Sequence, residues 1–158
     1  MIKYINSQEK NTEVSQSEDS AGISLLIQTA RASLNNQPVK TIELTEEAIA
    51  LAEKLNEKSL LSEALLLQSS ALTSTGRLNE AIPVTEKVLE VSGLTGDRTV
   101  TARGLHNMGD IFRLKGDFQK SIEYLNESNK VCEELNDADE YAKNENILGA
   151  VYLMTTEL

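Results

Sequence analysis

Residues 105–118 read Leu-His-Asn-Met-Gly-Asp-Ile-Phe-Arg-Leu-Lys-Gly-Asp-Phe. Leu105, Met108, Gly109 and Phe112 fall at i, i+3, i+4 and i+7, which puts them on one face of a helix. Gly116-Asp117 interrupts the pattern, and a second stripe runs on through Phe118, Ile122, Leu125 and Val131. Two helices joined by so short a turn lie antiparallel, as an αα-hairpin. Small residues at Gly109, Ser121 and Ser128 let the two backbones approach closely. One apolar face of the hairpin is left uncovered, so another hairpin must stack on it.

The rest of the chain supplies those neighbours. Gly76 and Gly116 lie 40 positions apart, as do Gly109 and Gly149. The same interval aligns Thr41 with Ala81 and Ser121, and Ile42 with Ile82 and Ile122. It also aligns Ala48 with Val88 and Ser128, and Leu51 with Val91 and Val131. A repeat of this length made of two helices is a solenoid unit. The pattern predicts an all-α, right-handed solenoid of antiparallel hairpins with about three and a half repeats and seven helices. The helices are expected at roughly 21–35, 38–55, 58–75, 78–92, 98–115 and 118–135, and from about 138 to the end. The units then cover about 21–56, 57–96, 97–136 and an incomplete 137–158. Residues 1–19 are polar and aperiodic and are expected to form a mobile tail, leaving 20–158 as the folded domain.

Local chemistry marks the boundaries. Asp97 and the Asn136-Asp137 pair sit where helix N-caps are wanted, and Gly93 is expected to close the helix before it. Pro38 suits a first helical turn. Pro83 lies about one turn into its helix and predicts a late start or a slight kink.

Composition narrows the function. A formal net charge of −10 repels phosphate backbones and anionic lipid heads, so neither nucleic acid nor membrane is expected as a partner. The single cysteine, Cys132, excludes an intrachain disulfide and a thiolate metal cluster, and its repeat position implies packing. The one histidine, His106, has no triad or metal-ligand spacing around it. Phosphate loops, nucleophile elbows and zinc spacings do not occur, so no enzyme activity, cofactor or metal is expected. Carboxylate clusters such as Glu133-Glu134 and Asp137-Ala138-Asp139-Glu140 read as solvated helix faces. No apolar run is long enough to span a bilayer and no signal-peptide core is present, which predicts a cytoplasmic protein.

These residues resemble the tetratricopeptide repeat. Leu105, Met108, Gly109 and Phe112 match its large-large-small-aromatic signature, Gly116-Asp117-Phe118 its inter-helix turn, and Ser121, Leu125 and Ser128 its small-large-small pattern. The second unit repeats this with Leu65, Ser69, Leu72, Gly76 and Ala81, and the fourth begins it with Leu148, Gly149 and Tyr152. A unit of about forty residues is longer than the common form and is similar to the extended repeats of kinesin light chains and bacterial signalling proteins.

The resemblance implies a protein- or peptide-binding module that uses its concave face. It puts Leu66, Ser70 and Thr73 of the second unit in the groove, with Arg103, His106, Asn107, Asp110 and Arg113 of the third and Lys143, Asn146 and Ala150 of the fourth. The arginines and Lys143 suit carboxylate recognition, or else pair with nearby acids. One subgroup clamps the terminal carboxylate of chaperone tails; Asn107 and Lys143 match two of its positions, but Leu66, Ser70 and Ile147 depart from it, so that ligand is not expected. Alternative roles are a regulatory segment of a larger signalling protein and a self-associating assembly module. Leu148, Val151, Tyr152 and Met154 are expected to form an apolar face on the last helix, covered by further sequence or by a partner in a homodimer.

Overall fold

The computed structural model describes residues 19–156, and within them every element is an α-helix. The helices are α1 (19–33), α2 (Pro38–Leu55), α3 (Lys58–Ser74), α4 (Leu78–Thr95), α5 (Arg98–Leu114), α6 (Phe118–Leu135) and α7 (Ala138–Thr156). Residues 1–18 of the expected tail lie outside the described residues, and Asp19, assigned to the tail, is already helical.

Why the helices stop where they do is a matter of left-handed residues at one repeat position. Asn56, Gly96 and Asn136 follow α2, α4 and α6, and each has a positive φ, between 55° and 72°. The next amide turns back into the helix: Glu57 N donates to Ala52 O, Asp97 N to Ser92 O and Asp137 N to Cys132 O. Such a turn satisfies carbonyls that the helix end leaves open. Gly96, not Gly93, therefore closes α4, and Gly93 lies inside the helix. Asn136 likewise ends α6 rather than starting α7, while Asp137 caps α7 by accepting from Glu140 N at 3.0 Å. Asp97 and Asp117 cap α5 and α6 in the same way. Pro38 opens α2. Pro83 neither delays nor interrupts α4, which runs unbroken from Leu78; its side is exposed, where the missing amide leaves only the Asn79 carbonyl to water.

Within a hairpin the packing depends on small side chains. A Cβ on Gly109 would lie 2.6 Å from Leu125 Cγ, so α5 and α6 touch there as the sequence requires. Beside it, Phe112 and Tyr124 stack with ring centroids 5.6 Å apart. Hydroxyls take the place of apolar contacts in the first two hairpins: Ser33 meets Thr41 at 2.9 Å and Ser69 meets Thr85 at 2.6 Å. Between hairpins, Gly104 admits α4, since its Cβ would fall 2.9 Å from Leu89 Cδ2. Ile23, Met108, Ile111, Leu125 and Val151 are the large side chains at the centre of the stack.

One asymmetry sets the shape. The first helices of successive hairpins touch, α3 against α5 and α5 against α7, whereas the backbones of α2, α4 and α6 do not approach one another. The first-helix row is thus the inner, concave side.

Candidate functional site: the concave groove

The inner row encloses an open groove of about 950 Å³. Its apolar end is made by Leu34, Pro38, Leu78 and Leu114, and its polar floor by Ser70, Thr73, His106, Asn107, Asp110 and Lys143. An adjoining hollow of about 320 Å³ adds Arg31, Leu66, Arg103 and Glu140 and shares Ser70, His106, Asn107 and Lys143 with the first. Leu66, Ser70, Arg103, His106, Asn107, Asp110 and Lys143 are therefore brought together. Arg113 and Asn146 line neither hollow, because Arg113 turns along its own helix to Asp110 at 2.7 Å and Asn146 faces outward in solvent.

The cations here are already paired. Arg103 lies 3.9 Å from Glu140, Lys143 2.9 Å from the same carboxylate, and Arg31 3.1 Å from Glu63. Glu140 is the hub, and its side chain is only 5% exposed. This corrects the reading of residues 137–140 as a solvated run. With Asp137 as cap, Glu140 occupies the first turn of α7 on the side that faces α5, where its charge also meets the positive end of the helix dipole.

The floor is tied down from behind. Asn107 Nδ2 donates to Ser69 Oγ at 3.1 Å and Ser70 Oγ at 2.9 Å. His106 Nδ1 sits 2.7 Å from Asn144 Oδ1 and 3.5 Å from Glu140 Oε1. Asn144 is wholly buried and reaches Ser128, Asn129 and, more loosely, Cys132. Burial pushes the Cys132 thiol up, so it stays protonated and packs as a small apolar group.

Sequence reasoning missed Leu34, Leu78, Leu114, Arg31, Glu140 and Asn144. A trace existed for two of them, since Leu34, Ser74 and Leu114 share one repeat position at the groove-facing end of the first helices. Leu148 and Val151, expected on an open face, are instead buried within the chain, at 4% and 0% exposure. They lie on the side of α7 that packs on the third hairpin, where Met108 and Ile111 stand one repeat earlier. Tyr152 and Met154 are exposed, together with Leu153.

The tetratricopeptide repeat family model matches residues 61–134, which span the second and third hairpins. The fold is an all-α solenoid of the tetratricopeptide type, and residues 61–134 carry that family's repeat. The same hairpin geometry continues on both sides of the matched segment, in α1–α2 and in α7 of the tetratricopeptide stack. Comparison with curated proteins finds none that matches. Among the described residues, no helix is long and apolar enough to cross a membrane, and no cluster of three or more metal-ligating side chains occurs.

Proposed function

We propose that the chain is a peptide-binding module that holds an extended segment of another protein in the groove between α1, α3, α5 and α7. Tetratricopeptide repeats generally mediate protein–protein interaction, and the observation that carries the reading to this face is the groove itself. It is large enough for a ligand, apolar at one end and polar along its floor, and its cations are neutralised by Glu140 and Glu63. A neutral, mixed segment fits such a lining better than a bare carboxylate does. The test is a random dodecapeptide library displayed on phage and panned on the intact chain. Ser74→Trp and Asn35→Trp, at exposed positions on the groove wall, should block the selected peptide without lowering the melting temperature. Binding that survives both would place the ligand elsewhere.

A second reading rests on α7. Tyr152, Leu153 and Met154 are exposed side by side, and a Cβ on Gly149 would meet nothing within 4 Å, so this flank has room for another helix. Self-association through it should give a mass that rises with concentration in sedimentation equilibrium and falls to the monomer in Tyr152→Ser.

A further inference from the structure

The single imidazole of the chain has its tautomer dictated from outside the groove. The dictation starts at Glu145, an exposed acid on α7 whose carboxylate can only accept. Asn129 Nδ2 donates to Glu145 Oε1 at 2.7 Å, which turns Asn129 Oδ1 the other way, towards Asn144. Asn144 must then present its amide nitrogen, and its two N–H groups go to Asn129 Oδ1 and Ser128 Oγ, both at 2.8 Å. The Ser128 hydroxyl proton is itself spent on Ala102 O at 2.8 Å, so Ser128 accepts from Asn144. Asn144 Oδ1 is thereby left as an acceptor, 2.7 Å from His106 Nδ1. Reversing Asn144 would set its Oδ1 against Asn129 Oδ1 in a buried site, and reversing Asn129 would set its Oδ1 against the Glu145 carboxylate. Glu140 Oε1, 3.5 Å from the same ring nitrogen, adds a second acceptor on that side. In the neutral ring His106 Nδ1 is therefore the donor, and Nε2 is the acceptor.

Nε2 makes no hydrogen bond among the described residues, and the ring lines both hollows of the groove. Asn107, the next residue, behaves alike: its amide nitrogen is used on Ser69 and Ser70, which leaves Oδ1 unengaged. Two neighbouring side chains on the floor thus offer acceptors and no donors.

We infer that His106 Nε2, with Asn107 Oδ1 beside it, reads backbone N–H donors of the segment held in the groove, and that the Glu145–Asn129–Asn144 relay sets His106 for this task. The inference rests on the groove reading above and adds the polarity of recognition. A strand whose inward N–H groups are blocked is rejected, whatever its side chains.

The experiment has two parts, and the first needs no ligand. His106 is the only histidine, so a long-range ¹H–¹⁵N spectrum of the intact chain contains one imidazole. At neutral pH it should show a pyrrole-type Nδ1 and a pyridine-type Nε2. The opposite pattern, or rapid averaging of the two, overturns the inference regardless of what the groove binds. In the second part, the library-selected dodecapeptide is added and its amides are N-methylated one at a time. The Nε2 resonance should shift while Nδ1 holds, and one or two methylations should each weaken binding at least tenfold. The methylation penalty should shrink in His106→Ala. A peptide that Ser74→Trp displaces but that leaves Nε2 unmoved and tolerates every methylation overturns the inference while the groove reading stands. A selected peptide that Ser74→Trp does not displace overturns the groove reading, and the donor-reading role of His106 with it, while the tautomer is decided by the spectrum alone.

Discussion

A Cβ placed on Gly109 would stand 2.6 Å from Cγ of Leu125, yet one repeat later a Cβ on Gly149 would touch nothing within 4 Å. The two glycines share a repeat position and differ only in what covers them. Gly109→Ala should destabilise the fold by about 1–3 kcal/mol through overpacking. Gly149→Ala should leave stability unchanged or raise it by up to about 1 kcal/mol, since the helix loses a flexible residue and gains no clash. Urea unfolding of the two variants side by side checks the opposite signs.

The Glu140 hub makes the groove cations matter to folding. Arg113 and Asp110 are part-buried, 24% and 26% exposed, but pair within one turn of α5 where water still reaches both, so the pair should contribute no more than about 1 kcal/mol. Removing Arg103 and Lys143 together strips a buried carboxylate of its cations, and the double Ala variant should lose roughly 1–3 kcal/mol. Lys143 is 59% exposed, which keeps the figure below that of a fully buried pair. Arg113→Ala melting with the parent, beside a clearly lowered double variant, is the expected pattern in calorimetry.

Opposite sides of one turn of α7 should respond differently to a polar side chain. Val151→Ser puts a hydroxyl into a site with 0% exposure and should cost on the order of 2 kcal/mol. Leu153→Ser, where the native side chain is 68% exposed, should stay within about 0.5 kcal/mol of the parent. Equal losses in chemical denaturation would mean that α7 is rotated from the position described.

Cys132 should be nearly inert to thiol reagents in the native chain. Its thiol is buried between Ser128 and Asn144 and is pushed up by desolvation, so little thiolate forms at neutral pH. Labelling by iodoacetamide should be slow in buffer and fast in urea; rapid native labelling would mean that α6 and α7 part readily.

The repeat and its phase were legible in the sequence because helix pairing here is local. Gly109, Phe112, Gly116-Asp117 and Ser121 specify a close antiparallel hairpin within about one repeat, and backbone geometry leaves little other choice. The left-handed closures also had a trace at the repeat interval, in Asn56, Gly96 and Asn136, but Gly93 stood nearby and competed with Gly96. Only the tertiary structure decided which polar groups meet across helices. Whether Glu140 points to water or to Arg103 depends on how α7 rests on α5. The proton on His106 follows from side chains 38, 23 and 39 positions away, at Asn144, Asn129 and Glu145. Helical periodicity says which residues share a face; hydrogen-bond direction is fixed by partners that the chain brings together only when its hairpins stack.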